Sequence, residues 1–200
     1  MELFVIRHTE VNNPDNLCYG KYEIPLKNNY KTKTKRIFQK LPNDFDKVYS
    51  SPSKRCTDLL KLTAKEFTEI KELHELDFGD WEGKKWDEIN QTDLNFWMND
   101  YVNKSPKNGE KMTDLYDRVI DFTENKLNIS LSKTLFVTHA GVIRVLLSKA
   151  LNINLNKVFN IPIKHYEIYR FIINTDIKFQ LSFLDMLNVE SNKITKKFNF

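Results

Sequence analysis

Near the start of the chain stands Phe4-Val5-Ile6-Arg7-His8-Thr9-Glu10, an apolar run that stops abruptly at an arginine and a histidine. The run begins at Leu3 and is bounded by polar residues, which predicts a buried strand. Arg7 and His8 then emerge at the carboxyl end of this strand, where open α/β sheets bind their ligands. A cation beside a neutral imidazole at that edge could hold a phosphoryl group and attack its phosphorus. The pair alone is more simply explained as two exposed polar residues, so the hypothesis needs support from the rest of the chain.

Length and composition predict one soluble domain over residues 1–200, because a chain of this size suits a single hydrophobic core. Hydrophobic residues make up 40% of it and charged residues 29%, as is typical of soluble globular proteins. No apolar run approaches the roughly 20 residues that span a bilayer, and Glu2 and Arg7 do not resemble the start of a secretory signal. We therefore expect a cytoplasmic protein that does not bind membranes.

The net charge of +4 does not indicate a nucleic-acid partner. Lysines and acidic residues are interspersed along the chain, whereas nucleic-acid binding favours a clustered basic patch with interleaved aromatic residues. The two cysteines, Cys18 and Cys56, are too few for a disulfide framework and are expected to be reduced thiols. A mildly basic surface of this kind is compatible with a small anionic ligand.

Two later strands are each followed by a residue that could bind an anion. Residues 45–53 predict a strand and then a helix-start signal, Ser-Ser-Pro-Ser, with Arg55 in the first helical turn. Leu135-Phe136-Val137 predicts a second buried strand, which runs into Thr138-His139-Ala140-Gly141 and another helix. His139 therefore lies at a strand-to-helix junction, where outward-pointing N–H groups favour an anion.

The strands alternate with helical segments, which favours a parallel, doubly wound sheet. Residues 166–173 and 178–184 predict an antiparallel hairpin at one edge of that sheet, and residues 191–200 are expected to be frayed. The predicted fold is a three-layer α/β/α sandwich with a mostly parallel doubly wound sheet and an antiparallel edge hairpin. A small cap of loop and helix is expected around residues 77–112, with its helix starting at Trp86.

The three strand ends together predict one electropositive pocket. Arg7, Arg55 and His139 could surround three phosphoryl oxygens, each arginine offering its fixed fork of donors. His8 would remain as the in-line nucleophile. Without a metal, this clamp must itself neutralise the charge on the transferring group, which explains the need for at least two arginines. Neither a metal nor another cofactor is expected.

A phosphoryl transfer of this kind also needs an acid. The leaving alkoxide must receive a proton, and the group that donates it can then activate the attacking water. The acidic loop over residues 73–83 offers several carboxyl groups. Glu75, at its start, is our candidate, and Glu82 is the second choice.

Four motifs stand in order along the chain and carry a resemblance to a known family: Arg7-His8-Thr9-Glu10, Ser50-Ser51-Pro52 with Arg55, residues 73–83, and Thr138-His139-Ala140-Gly141. In their order and separations they resemble the histidine phosphatase superfamily, the phosphoglycerate-mutase-like clan, over residues 3–151. The resemblance implies that His8 becomes phosphorylated by a small phosphate monoester. It further implies that the two arginines and His139 complete the phosphate pocket and that Glu75 donates the proton.

Within the clan, three further segments most resemble the α-ribazole phosphatases, enzymes that act late in assembling the nucleotide loop of cobalamin. These segments are Cys18-Tyr19-Gly20, residues 77–83 and Asn108-Gly109-Glu110. The resemblance implies hydrolysis of α-ribazole 5′-phosphate, with Tyr19, Gly20 and Ala140 on the substrate side.

The chain departs from the family pattern at two positions. Thr9 stands where the family usually has glycine, although threonine also occurs among the members that resemble α-ribazole phosphatases. Pro14 stands where many relatives have asparagine, so that Asn12 or Asn13 would have to substitute. Asn13 is our candidate for that substrate contact.

Other functions stay open. The protein could be a phosphatase of broad specificity for phosphorylated metabolites, or a phosphoglycerate mutase, although such mutases resemble longer chains with extra segments that close the pocket. A non-catalytic phosphoryl-binding module is disfavoured, because such proteins typically lose the nucleophile or the acid, and His8 and Glu75 are both present. Neither cysteine is followed by an arginine six residues later, as a cysteine-dependent phosphatase would require. The oligomeric state is left open.

The remaining histidines and tryptophans are expected to be structural. His74 and His165 are interpreted as surface or packing residues, since no histidine pair has metal-ligand spacing. Trp81 and Trp86 are interpreted as stabilising their loop rather than stacking on a substrate. We therefore predict no metal site.

Overall fold

The computed structural model describes residues 1–63, 65–128, 130–174 and 178–196, and a seven-stranded sheet runs through these residues. Its strands are β1 (Glu2–Arg7), β2 (Lys47–Ser50), β3 (Thr68–Glu69), β4 (Lys133–Thr138), β5 (Glu167–Asn174), β6 (Gln180–Asn188) and β7 (Lys193–Thr195). Their order across the sheet is β3-β2-β4-β1-β5-β6-β7. The first strand is therefore central, with β4 parallel to it on one side and β5 antiparallel on the other.

Strands β1 to β4 form the parallel part of the sheet, and their carboxyl ends share one edge. At that edge Arg7 pairs with Thr138, and Ser50 pairs with Val137. The segments that follow these strands therefore begin at the same level of the sheet. Strands β5, β6 and β7 are antiparallel to their neighbours. This mixed sheet confirms the predicted fold class.

The helices lie between the first five strands along the chain. Within the described residues they are α1 (Tyr30–Phe38), α2 (Lys54–Lys61), α3 (Gln91–Met98), α4 (Met112–Asp121) and α5 (Ala140–Leu151). A π-helical turn, Phe122–Lys126, continues α4, and short 3₁₀ turns cover Lys71–Leu73, Gly79–Trp81 and Leu155–Asn160. Among these described helices, none has the length and apolar character needed to cross a membrane.

The sheet is buried on both faces, because alternate residues of its central strands point in opposite directions. Leu3 and Val5 of β1 lie in one core with residues of α4 and α5. Phe4 and Ile6 lie in a second core with residues of α1 and α2. Burial on both faces explains why β1 is a continuous apolar run instead of an alternating one. The helices on the two faces make the three predicted layers.

Two local predictions were wrong. The helix expected from Trp86 begins at Gln91, because the side chain of Asn90 caps it by accepting hydrogen bonds from two backbone N–H groups of its first turn. The tail expected to be frayed contains β7, whose backbone pairs with β6. Residues 197–200 of that tail lie outside the described residues.

An aromatic cluster around Trp97 of α3 holds residues 77–112 against the rest of the protein. The indole is 7% exposed, and its ring centroid lies 5.7 Å from that of Trp81 and 5.9 Å from that of Phe78. It also lies 6.1 Å from the ring of Phe159, which belongs to the segment after α5. Aromatic rings at such separations stabilise each other beyond the effect of burial alone.

Replacing Trp97 by alanine is expected to lower the free energy of unfolding by roughly 3–5 kcal/mol, because it leaves a cavity where these rings meet. Urea denaturation followed by circular dichroism measures the change. Phe96→Ala is the matched control, since Phe96 precedes Trp97 on α3 and is 58% exposed. Its effect should stay below about 1 kcal/mol. Equal losses in the two variants would show that the cluster does not hold this segment.

Candidate active site

His8 follows β1 directly and is 1% exposed. Its backbone N–H donates to the carbonyl oxygen of Thr138 at 3.0 Å, which extends the pairing with β4 by one residue. Its Nδ1 lies 2.7 Å from the carbonyl oxygen of Thr9. Because a carbonyl oxygen can only accept, Nδ1 carries the hydrogen and Nε2 carries the lone pair of the neutral ring.

The surroundings of His8 favour this neutral form. Burial lowers the pKa of His8 well below 6.5, and the positive charges of Arg55 and Arg7 lower it further. Both causes disfavour the protonated ring, which would be a third positive charge in a largely buried site. The neutral imidazole is the form that can act as a nucleophile.

Arg7 and Arg55 supply the positive charge of the site. From Nη1, Arg7 donates to the carbonyl oxygen of Ile163 at 2.8 Å. Arg55 lies at the start of α2 and is 1% exposed. Its guanidinium donates to the carbonyl oxygen of Tyr22 at 3.0 Å and to that of Gly20. These carbonyls hold both planar forks in fixed orientations.

His139 lies between β4 and α5 and is inaccessible to solvent. Its ring centroid is 5.3 Å from that of His8, and its Nε2 lies 2.7 Å from Oγ of Ser51. Burial is the main cause that lowers the pKa of His139 well below 6.5, followed by the charges of Arg55 and His8. When the Ser51 hydroxyl donates to Nε2, the ring hydrogen is on Nδ1.

Three residues around His8 each have a buried nitrogen with no hydrogen-bond partner among the described residues: Nε of Arg7, Nε of Arg55 and Nδ1 of His139. A buried polar group without a partner costs about 1–3 kcal/mol. Three such groups together suit the oxygens of an anion, which accept hydrogen bonds from charged donors most strongly. No three His, Cys, Asp or Glu side chains within the described ranges are grouped closely enough to hold a metal ion.

Glu75 lines the same cleft as His8. Its Oε1 accepts from the backbone N–H of Gly141 at 3.0 Å and from that of Leu76 at 3.0 Å. Gly141 lies in the first turn of α5, where the helix dipole favours a negative charge. A Cβ at Gly141 would lie 2.1 Å from Oε1 of Glu75, so the contact requires glycine.

Glu82, the second candidate for the acid, has a different position. Its carboxylate accepts hydrogen bonds of 2.8 to 3.1 Å from the backbone N–H groups of Gly20, Lys21, Tyr22 and Phe78. These bonds join the loop after β1 to the start of residues 77–112. The lining of the cleft beside His8 includes Glu75 and does not include Glu82.

A cleft of about 180 Å³ opens above Arg7, His8 and Glu75. Its other lining residues are mainly aromatic or apolar: Tyr19, Leu76, Phe78, Trp86, Met112, Ala140, Gly141, Arg144 and Phe159. Walls of this composition suit a ligand that carries an apolar or aromatic group beyond its anionic group. Trp86 belongs to these walls, although the sequence suggested only a loop-stabilising role for it.

Of the four residues expected on the substrate side, Tyr19 and Ala140 line the cleft. Asn13 does not. Its amide exchanges two hydrogen bonds with the backbone of Leu17, at 2.9 and 3.0 Å, and so closes its own loop. An asparagine uses the same side-chain amide to close a loop or to contact a substrate. The sequence therefore could not show which of these two roles Asn13 has.

Gly20 also lies outside the cleft lining. A Cβ at this position would lie 1.7 Å from the carbonyl oxygen of Leu76, so the two loops are in direct backbone contact. The carbonyl oxygen of Gly20 accepts from Arg55. Gly20 therefore orients an arginine of the site.

Arg144 belongs to the site and was missed at the level of sequence, whereas His165, expected to be a surface or packing residue, packs against His8. Nδ1 of His165 donates to the backbone carbonyl oxygen of His8 at 2.8 Å, and the two ring centroids are 5.7 Å apart. Arg144 lines the cleft, and its Nε donates to the carbonyl oxygen of Ile161 at 3.2 Å. Arg144 stands one helical turn after Ala140, and this spacing could have revealed it. Nothing local in the sequence distinguishes His165.

Known proteins resemble this chain in sequence and in fold. The model of the histidine phosphatase superfamily (branch 1) matches residues 3–183. The adenosylcobalamin/alpha-ribazole phosphatases of Escherichia coli (strain K12) and Salmonella typhimurium are each 29% identical, over 159 and 161 residues. These matches cover 74% and 76% of this chain and 78% and 80% of the two relatives. The crystal structure of the alpha-ribazole phosphatase from Shigella flexneri has the same fold, with a TM-score of 0.79 and 24% identity over 92% of this chain and 94% of that one.

The four histidines predict that stability depends on pH. Chiefly because of burial, the pKa is lowered to about 4 for His74 and His165 and well below 6.5 for His8 and His139. Below pH 6.5 the unfolded chain therefore binds protons that the folded chain does not. The free energy of unfolding should be highest above this value. It should fall as the pH drops, by about 1 kcal/mol per pH unit for each of the two fully buried histidines.

Urea denaturation at a series of pH values from about 8 to about 5 measures this dependence. The carboxyl groups whose pKa is lowered on folding titrate below this window. His139→Asn removes one titrating group and should make the slope shallower. A slope equal to that of the parent protein would contradict the expected contribution of His139.

Proposed function

Because the chain belongs to the histidine phosphatase superfamily (branch 1) and is a phosphatase, we propose that it hydrolyses small phosphate monoesters through a phosphohistidine at His8. One observation carries this proposal. The lowered pKa of His8 keeps its ring neutral with the lone pair on Nε2, and its neighbours Arg7, Arg55 and His139 each have a buried side-chain nitrogen without a partner in the described part of the chain. The pocket thus combines a nucleophile with donors for the oxygens of the group that it attacks.

In the first half-reaction, Nε2 of His8 attacks phosphorus and the P–O ester bond breaks. The phosphoryl oxygens accept hydrogen bonds from Arg7, Arg55 and His139, which offset the charge of the transferring group. Glu75, in its protonated form, donates its proton to the leaving oxygen. The products are a neutral alcohol and phosphorylated His8.

In the second half-reaction, water attacks the phosphorus of the phosphohistidine. The carboxylate of Glu75 accepts a proton from that water. The P–Nε2 bond breaks, inorganic phosphate leaves, and the electron pair of the bond returns to Nε2. His8 is then neutral and Glu75 protonated, as at the start of the cycle.

For the substrate, the proposal is α-ribazole 5′-phosphate. The aromatic and apolar walls of the cleft support this choice, since its aromatic base can pack against such side chains. The names of the two bacterial relatives support it as well. Residues 77–112 supply Phe78, Trp86 and Met112 to the walls, and in this proposal they form a small cap over the substrate.

Phosphate release from α-ribazole 5′-phosphate, compared with a panel of unrelated phosphate monoesters in the presence of a chelator, tests the proposal. We expect α-ribazole 5′-phosphate to have the highest kcat/KM, because its base fills the apolar walls. Equal kcat/KM values over the whole panel would contradict this choice of substrate and would indicate a phosphatase of broad specificity. Isomerisation of 3-phosphoglycerate that is faster than phosphate release would indicate a mutase.

His8→Ala is the control for the chemistry in the same assay. The protein is mixed with substrate that carries a labelled phosphate, and the reaction is then quenched. The parent protein should carry labelled phosphate on His8, whereas the variant should carry no label and show no turnover. Tight phosphate binding by a parent protein that never becomes labelled would indicate a binding module in place of an enzyme.

Glu75→Gln is expected to slow the first half-reaction for substrates whose leaving group needs a proton, by about 10²–10⁴-fold for an alkyl phosphate. The effect should be less than about tenfold for 2,4-dinitrophenyl phosphate, whose leaving group departs as a stable anion. Single-turnover measurements by rapid quench separate this step from dephosphorylation. Glu82→Gln is the control and should affect both substrates alike. If Glu75→Gln slows both substrates by the same factor, Glu75 is not the acid.

A further inference from the structure

Arg118 of α4 holds the backbone that carries Glu75. Its Nη1 donates to the carbonyl oxygens of Glu72 and His74, at 2.5 and 2.9 Å, and its Nη2 donates to that of Glu75 at 3.0 Å. Its Nε and Nη2 also donate to the two carboxylate oxygens of Glu110, each at 2.9 Å. A guanidinium has five N–H donors, and all five are used here.

Glu110 extends this support to the other side of Glu75. Its Oε2 accepts from the backbone N–H of Asp77 at 3.1 Å, and its own N–H donates to the carbonyl oxygen of Asp77 at 2.9 Å. The side chains of Arg118 and Glu110 are only 19% and 20% exposed, and their ion pair has two points of contact. Such a pair restrains orientation as well as distance. The backbone of residues 72–77 is therefore attached at both ends.

The place of Glu75 relative to His8 depends on two separate attachments. Its carboxylate is held by Gly141 of α5, and its backbone is held by Arg118 of α4. Among the described residues, the side-chain hydrogen bonds of Arg118 all go to the segment around Glu75 and to Glu110. A catalytic group that moves by about 1 Å can lose roughly 10²-fold in rate. Loss of Arg118 would free the backbone at Glu75 without removing a donor of the phosphate pocket.

We propose that Arg118 and Glu110 are positioning residues for proton transfer by Glu75 and take no part in phosphoryl binding. The inference rests on the proposed role of Glu75 as the acid. It implies that a change at Arg118 reproduces the leaving-group dependence of Glu75→Gln. A residue with a general structural role would slow all substrates alike.

The test uses Arg118→Lys in the whole chain, since lysine keeps the charge but lacks the planar five-donor fork. Single-turnover phosphorylation of His8 is measured with an alkyl phosphate and with 2,4-dinitrophenyl phosphate. The alkyl substrate should slow by about 10²-fold and the dinitrophenyl substrate by less than about threefold, with an unchanged Kd for inorganic phosphate. Glu110→Gln should act in the same direction with a smaller effect. If Arg118→Lys is poorly folded, the leaving-group dependence of Glu110→Gln tests the inference in its place.

Arg170→Lys is the matched control. Arg170 also forms a two-point ion pair, with Asp185, but this pair joins β5 to β6 and lies outside the cleft lining. The variant should retain the rates of the parent protein on both substrates. A leaving-group dependence in Arg170→Lys would show that loss of any such pair perturbs the acid, and this would overturn the inference.

Equal losses on the two substrates in Arg118→Lys, or a weakened affinity for inorganic phosphate, would also overturn it. If Glu75→Gln itself shows no leaving-group dependence, the proposed acid is wrong and the inference fails with it. If Glu75→Gln shows the dependence while Arg118→Lys and Glu110→Gln do not, the inference alone fails.

Discussion

The hydrogen bond from Nδ1 of His8 to the carbonyl oxygen of Thr9 is the contact on which the site depends. It puts the lone pair on Nε2, while burial and two neighbouring arginines keep the ring uncharged. A buried polar ring is costly unless its surroundings hold it with hydrogen bonds. The backbone around this ring is held as well, because Thr138 accepts from the N–H of His8 and His165 donates to its carbonyl oxygen.

The parallel strands explain how residues from distant parts of the chain meet at this ring. Strand β4 lies between β2 and β1, and the segments after these three parallel strands begin at one edge of the sheet. Arg7, Arg55 and His139 each come from one of these segments or strand ends. The same edge brings the N-terminus of α5 to the carboxylate of Glu75. One constraint, the parallel register, thus brings the cationic groups and the carboxyl group to the same edge of the sheet.

Two different kinds of contact support the parts of the cleft. The backbone at Glu75 is held by the directional hydrogen bonds of Arg118, whereas the aromatic cluster around Trp97 packs residues 77–112 against the segment after α5. Hydrogen bonds fix both angle and distance, which suits an acid that has to meet one oxygen atom. Ring packing is less directional and suits a wall that surrounds an apolar group.

Local sequence was sufficient to predict the central strands and the helices that follow β2 and β4, because apolar runs and helix-start signals act within a few residues. It also placed the basic residues and His8 at the ends of those strands. It could not show that Asn13 and Gly20 shape loops, nor that His165 contacts His8 from 157 positions away. Which carboxyl group faces His8, and what holds it there, depends on contacts that exist only after the sheet has brought the strand ends together.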